Sequence, residues 1–253
     1  MQALLPERVI VTGGASGIGE AVIRAFAAGG AEVGIINRSE DSVERALKNG
    51  LADVADRVHW RIADVADEAA VVTAVDELST ELGGVQAVVA SAGIVGEFGA
   101  SLGEVTSSDF RRVLEVNVLG VFHLVKAALP HLAQQPNPSV TIVGSDSGFV
   151  AVPGMLAYNA SKGALVQLTR AMSVELYEEH GVRVNSICPS IVDTPMSRGA
   201  MDDEGFEGAD FPVHSPDDVA WSVLYLSAAN SRAINGVNLL SDFGYTARSS
   251  FPA

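Results

Sequence analysis

Tyr158 and Lys162 stand four residues apart in A-Y-N-A-S-K-G-A-L, at the start of a strong helical pattern. At that spacing two side chains share one helix face. An ammonium beside a phenol favours the phenolate, so a tyrosine pKa below its reference of about 10 is expected. Such a tyrosine can act as an acid and a base near neutral pH. Y-x-x-x-K alone is common by chance and ordinarily marks a surface pair, so its neighbours decide. Ser145 ends the apolar run S-V-T-I-V-G-S. Its hydroxyl is expected at the carboxyl edge of a sheet, where open α/β folds bind ligands. Asn117 interrupts the helical run V-L-E-V-N-V-L-G-V-F-H-L-V, a poor place for an amide unless its side chain has buried partners.

A second candidate site lies near the N-terminus. Thr12-Gly13-Gly14-Ala15-Ser16-Gly17-Ile18-Gly19 follows the β-branched run R-V-I-V-T and opens a helical segment. Gly13 permits a tight turn, Gly17 lets backbone approach a pyrophosphate, and Gly19 lets helix pack closely on strand. The helix start offers free N–H groups and a positive dipole end to phosphates. The spacing is G-x-x-x-G-x-G, and the Lys-Ser/Thr of an ATP-binding P-loop is missing.

These groups need a scaffold. Apolar runs recur at Arg8–Thr12, Val33–Ile36, Val58–Ile62, Gln86–Ala90, Ser139–Gly144, Val182–Cys188 and Gly236–Ser241. Near-continuous apolarity predicts parallel strands covered on both faces. Helical spacing predicts helices over Gly19–Ala28, Glu68–Glu81, Phe110–Ala133, Ala157–Glu179 and Pro216–Ala229. The alternation predicts a single-domain α/β protein over residues 1–253, a doubly wound Rossmann-type parallel sheet of about seven strands with helices on both faces. Met196–His214 contains the acidic, glycine-bearing M-D-D-E-G-F-E-G-A-D and reads as a substrate-binding loop or lid.

Composition narrows the function classes. With 48% hydrophobic and 19% charged residues the chain is not disordered. Sixteen basic residues against 31 acidic ones leave a net charge of −15. Such a chain is repelled by nucleic-acid phosphates and anionic lipid, so neither nucleic acid nor membrane is an expected partner. The single cysteine, Cys188, excludes an intramolecular disulfide. The five histidines show no metal-ligand spacing, and no metal is expected. No uncharged apolar stretch approaches a membrane span, and the first residues lack the pattern of a signal peptide, so a cytoplasmic location is expected.

Taken in order, T-G-G-A-S-G-I-G, Asn117 in N-V-L-G, Ser145, Y158-N-A-S-K162, V184-N-S-I-C-P189 and the final I-N-G and D-F-G resemble the short-chain dehydrogenase/reductase family over about the whole chain. The thirteen-residue interval from Ser145 to Tyr158 fits the same family. The resemblance implies an NAD(P)-dependent oxidoreductase, a carbonyl reductase or alcohol dehydrogenase. Tyr158 would be the general acid/base, and Lys162 would hold the nicotinamide ribose and lower the tyrosine pKa. Ser145 would bond the substrate oxygen, and Asn117 would hold a proton-relaying water. The implied cofactor contacts are Gly13, Ser16, Gly17, Ile18 and Gly19 in the first loop, and Asn37 and Arg38 after the second strand. Asp64 would contact adenine, and Val65, Ala90, Ala92 and Gly93 are further implied cofactor contacts. Pro189, Val192 and Thr194 would join Tyr158 and Lys162 at the nicotinamide. A reductase of carrier-bound 3-oxoacyl chains and a non-catalytic dinucleotide-binding regulator are the alternatives.

The chain departs from the family pattern at Ala90-Ser91-Ala92-Gly93, Pro189-Ser190 and Asp242-Phe243-Gly244. The expected substrate wall comprises Ile94, Val95, Ser147, Phe149 and Met155, with Ser190, Met196, Phe206 and Phe211. That wall suits a small or medium apolar ketone or secondary alcohol. An acid at the end of the second strand would select NAD. Asn37 and Arg38 stand there instead, which puts NADP(H) ahead of NAD(H). The resemblance and the apolar long helices point to a homotetramer.

Overall fold

The computed structural model describes residues 4–200, 206 and 208–248. Seven parallel strands form one sheet in the order β3-β2-β1-β4-β5-β6-β7. They are β1 Arg8–Thr12, β2 Glu32–Asn37, β3 Val58–Ile62, β4 Ala87–Ala90, β5 Ser139–Val143, β6 Arg183–Pro189 and β7 Asn238–Ser241. The central strands are apolar without alternation because both faces are covered; every residue of β4 and β5 is buried. Five strands finish level: Thr12 pairs with Ile36 and Ala90, Ala90 with Ile142, and Val143 with Ile187. The chain winds outward in opposite directions from β1 and β4. The loops that follow these strands therefore open around one crevice.

Helices α1 Gly17–Ala28, α2 Glu40–Lys48 and α8 Pro216–Ser227 cover one face, packing Ile23, Phe26, Val43, Val223 and Leu226 against it. On the other face lie α3 Glu68–Leu82, α4 Ser107–Leu114, α5 Gly120–Leu132 and α6 Leu156–His180, contributing Leu78, Leu124, Leu132 and Leu165. The expected helix Phe110–Ala133 is a longer rod with a π-helical turn, Glu115–Leu119, set between α4 and α5. By length and composition Ser107–Leu132 could cross a membrane, but half of its most apolar window is buried within this fold. The expected lid at 196–214 starts as the short helix α7, Pro195–Ala200. Residues 201–205 and 207 lie outside the described residues. The chain re-enters the fold at His214, which bridges to Val192 and whose Nε2 hydrogen-bonds the Ser241 carbonyl at 2.7 Å.

The helix α8 ends against a buried cation. Arg183, at the start of β6, sends one guanidinium nitrogen to the carbonyls of Leu226 and Ile234 and another to those of Ser227 and Ala228. Burial lowers its pKa, yet the carbonyl end of a helix is where a cation is best placed.

Candidate active site

The glycine loop forms the floor of the first of two cavities. Gly13 has φ +69°, and a Cβ there would lie 2.7 Å from the Ala92 Cα. Gly17 has φ +54° and lies under Thr194, while a Cβ at Gly19 would strike the Gly13 carbonyl. Only glycine fits these three positions without rebuilding the loop. Above them opens a cavity of about 350 Å³ lined by Gly13, Ser16, Gly17, Ile18, Gly19, Asn37, Arg38, Asp64, Val65, Ala92, Gly93 and Thr194, all expected cofactor contacts. Ala90 is different: it is buried in the core beneath this cavity and does not line it. The cradle, the start of α1 and the two arginines described below fit a dinucleotide, whose pyrophosphate needs backbone N–H groups and local positive charge.

Two features of this cavity were not legible in the sequence. Arg112, on α4, reaches in and donates to Asp64 Oδ2 at 2.6 Å, while Asp64 Oδ1 accepts from the Ala66 N–H at 3.0 Å. Burial pushes the Asp64 carboxyl up, but these two donors outweigh it and its pKa ends below the usual range. The second feature joins the glycine loop to the loop after β4. The Thr12 hydroxyl accepts from the N–H groups of Ser91 and Ala92, so the loop after β4 is braced by threonine.

The second cavity, about 560 Å³, adjoins the first and shares Ile18, Ser91, Gly93, Thr194 and Met196 with it. Ser145, Tyr158 and Lys162 all line it, as do Pro189 and Val192. Ser145 emerges where β5 ends, and its Oγ accepts from the Ser147 N–H and donates to Asp146 Oδ1, both at 3.1 Å. Tyr158 and Lys162 project from the first turns of α6, with Lys162 Nζ 5.4 Å from the tyrosine ring centre. Lys162 Nζ donates to the Val143 carbonyl at 2.9 Å. Asn117 stands behind the cavity. Its Nδ2 donates to the Ile94 carbonyl and to Ser161 Oγ, and its Oδ1 accepts from the Ile94 N–H.

The expected low tyrosine pKa is not found. Burial pushes Tyr158 up to about 12, against a hydrogen bond from Ser145 that pulls it down. Burial likewise lowers Lys162 to about 8. Each group is penalised for carrying charge away from water, and the ammonium is engaged by the Val143 carbonyl.

Of the expected substrate wall, Val95, Ser147, Met155, Ser190, Met196 and Phe211 line this cavity. Ile94 lines the cofactor cavity instead, because the Asn117 clamp turns its backbone there. Phe149 follows a 3-10 turn over Asp146–Gly148 and is exposed outside the cavity. Phe206 does not reach it and packs edge-on against Phe211. Phe98, Asp146, Val152 and Tyr245 are lining residues not anticipated. Phe243, at the altered Asp-Phe-Gly, adopts φ +54° and stacks on His214 at 4.2 Å, which offsets its strained backbone.

The family model described as short chain dehydrogenase matches residues 7–205. The chain belongs to the short-chain dehydrogenase family. Two curated short-chain dehydrogenase relatives match nearly end to end. Cis-4-hydroxycyclohexanecarboxylate dehydrogenase of Sinomonas cyclohexanicum is 36% identical over 248 residues, covering 95% of this chain and 97% of its own. The 2-(R)-hydroxypropyl-CoM dehydrogenase of Xanthobacter autotrophicus is 34% identical over 245 residues, covering 94% and 98%. Among solved structures, a 3-ketoacyl-(acyl-carrier-protein) reductase from Brucella melitensis complexed with NADH superposes with a TM-score of 0.87 at 29% identity, covering 96% and 100%. ElxO with NADP bound gives 0.86 at 25%, covering 96% and 99%. This short-chain dehydrogenase is therefore an NAD(P)-dependent oxidoreductase that interconverts a secondary alcohol and a ketone.

The Lys162 shift has a consequence for stability. Burial holds the folded pKa near 8 against an ordinary 10.5. Between those values the unfolded chain binds more protons, so this lysine makes stability rise with pH across that window. Lys162→Met removes the effect. In urea unfolding from about pH 8 to about pH 9.5, the stability of the wild type relative to the variant is expected to grow. A gap that stays flat or shrinks contradicts the burial argument.

Proposed function

We propose that Tyr158 is the general acid/base of this oxidoreductase, with Ser145 bonding the substrate oxygen, Lys162 orienting coenzyme and proton, and Asn117 positioning the catalytic helix. The supporting observation is convergence: Ser145, Tyr158 and Lys162, from β5 and α6, meet in one cavity that opens onto the glycine-cradled one. A nicotinamide dinucleotide, when bound, supplies or accepts the hydride. In the reduction direction the Tyr158 phenol gives its proton to the carbonyl oxygen, and Ser145 donates a hydrogen bond to the same oxygen as charge builds there. The Lys162 ammonium lies under the tyrosine ring, where it favours the phenolate that donation leaves behind. The largely apolar wall of Val95, Phe98, Val152, Met155, Ile191 and Phe211 excludes water from these groups. It suits a small or medium apolar skeleton, and we place the reaction in the cytoplasm. A carrier-bound substrate is not favoured, because a chain of net charge −15 is a poor dock for an acidic carrier.

Tyr158→Phe is expected to lower kcat by about 10²–10⁴-fold, and Ser145→Ala by about 10²–10³-fold. Coenzyme binding, read by fluorescence titration, is expected to survive both. Near-normal turnover in Tyr158→Phe sinks the assignment.

For the coenzyme we infer a preference for NADP(H). Arg38 lines the cavity beside Ser39 and Ser42, at the start of α2. Asn37, where an NAD-selective site has an acid, donates to the Ser39 carbonyl at 3.1 Å. Glu40 and Asp41 belong to the first turn of α2 and do not line the cavity. A guanidinium with two hydroxyls suits a 2′-phosphate. The ratio of kcat/KM for NADPH over NADH is expected to exceed one and to invert in Asn37→Asp/Arg38→Leu. A wild type that already prefers NADH makes Arg38 a base-stacking residue.

A homotetramer completes the proposal. Trp221 is 71% exposed and Tyr225 follows it on the same face of α8. Val174 on α6 is 59% exposed, and Tyr177 and Phe122 are open on α6 and α5. Apolar surface of this size on three helices calls for cover. Sedimentation at micromolar concentration is expected to report four chains; a monomer refutes it.

A further inference from the structure

We propose that Asp146 determines substrate choice, accepting a hydrogen bond from a hydroxyl on the carbon next to the reacting one, so that vicinal diols and α-hydroxyketones on an apolar skeleton are favoured and anionic substrates are turned away. This selectivity rests on the catalytic reading above and names the substrate class of the same site.

The described lining of the substrate cavity holds two carboxylates, Asp146 and Asp242, and one cation, Lys162. Two of the three are engaged. Lys162 is bonded to the Val143 carbonyl. Asp242 accepts from the N–H groups of Gly244 and Thr246 and from the Thr246 hydroxyl, and these bonds hold its pKa below the usual range. Asp146 is in a different position. It is part-buried, and burial lifts its carboxyl above the usual range, with the neighbouring Asp242 adding to the rise. Its partners are the Ser147 N–H and the Ser145 hydroxyl, whose Oγ lies 3.1 Å from Oδ1.

A serine hydroxyl has one proton to donate. Without substrate that hydroxyl is placed to donate to Asp146, with Tyr158 as its other neighbour. During catalysis it must point at the substrate oxygen, and Asp146 then loses a donor. Leaving a part-buried carboxylate short of a partner is unfavourable. A substrate with a second hydroxyl restores the bond. The spacing suits this exchange: oxygens on adjacent carbons sit about one hydrogen-bond length apart, roughly 2.8 Å, close to the Ser145–Asp146 separation. One oxygen faces Ser145 and Tyr158 while the other donates to Asp146.

The same corner repels anions. A carboxylate beside the reacting carbon would meet Asp146, while Lys162, the cation of the described lining, is engaged by the Val143 carbonyl. The rest of the wall is apolar, so the donor must sit close to the reacting carbon.

The test compares kcat/KM within matched pairs, 2,3-butanediol against 2-butanol and 1,2-cyclohexanediol against cyclohexanol, in wild type, Asp146→Asn and Asp146→Ala. Ratios within one protein are unaffected by the fraction that folds. The wild type is expected to favour each diol by about tenfold or more. The ratio should fall toward one in Asp146→Ala and stay intermediate in Asp146→Asn, whose carbonyl oxygen still accepts. Lactate is expected to be a poor substrate of the wild type and to gain on 2-butanol in Asp146→Ala. A diol ratio equal in wild type and Asp146→Ala overturns the inference while the catalytic reading stands. A wild type that prefers 1-amino-2-propanol to 2,3-butanediol overturns the hydroxyl class in favour of an ammonium. A wild type inactive on both members of both pairs overturns the catalytic reading as well.

Discussion

One buried amide ties the two cavities together. Asn117 is 1% exposed and makes three hydrogen bonds: two with the backbone of Ile94 and one with Ser161 Oγ. Ser161 Oγ in turn donates to the Tyr158 carbonyl at 2.7 Å. The loop after β4, the junction of α4 with α5, and the first turns of α6 are thereby locked to one another. The first of these walls the cofactor cavity, and the last carries Tyr158 and Lys162. Asn117 sits within a π turn at Glu115–Leu119, a less favourable geometry that recurs at functional sites. A fully bonded amide in low dielectric is stiff, and losing one partner leaves a buried polar group unsatisfied. Small displacements of α6 are resisted for that reason.

The clamp holds side by side two cavities of opposite electrical character. The protein as a whole carries −15, a field hostile to a pyrophosphate. The cofactor cavity overcomes it locally with Arg38, Arg112, glycine N–H groups and the start of α1, and Asp64, the one carboxylate among its described lining residues, is neutralised by Arg112. The substrate cavity keeps the negative sign of the chain, with Asp146 and Asp242 against Lys162. Short-range donors decide the first case because they act at contact distance, where the screened net charge is weak.

What the sequence made legible follows from physical scale. Strand β1 has its expected bounds because burial writes itself into a run of apolar residues; the edge strand β3, with only Val58 buried, also has its expected bounds, and α6 is within one residue at each end. The glycine loop was legible because its glycines stand together in one short run between a strand and a helix, although Gly13 serves a contact with Ala92 far along the chain and only Gly19 a local one, with Gly13. Helix α2 escaped notice because E-D-S-V-E-R-A-L-K buries only Val43 and Ala46, too few for a periodic signal; its Ser39 cap was the clue. Arg112 and Asp146 were hidden for another reason. Arg112 meets Asp64 across 48 residues of chain, and only the tertiary fold makes such a pair. Phe149 and Phe206 look like pocket residues by composition, yet each leaves the cavity because a short turn or a neighbouring ring directs it elsewhere.

Burial gives the Tyr158–Lys162 pair a definite resting state. With the phenol near 12 and the ammonium near 8, both hold their protons at neutral pH. Ketone reduction consumes a proton, and alcohol oxidation must release one. The ligand-free site is therefore charged for reduction, while oxidation first requires an acceptor for the phenol proton. Lys162 cannot serve as that acceptor while it is itself protonated. As the pH passes its depressed pKa of about 8 the lysine becomes a neutral amine, so burial gives the pair a titratable member between neutrality and the ordinary lysine range. Without that desolvation the lysine would stay charged to about 10.5.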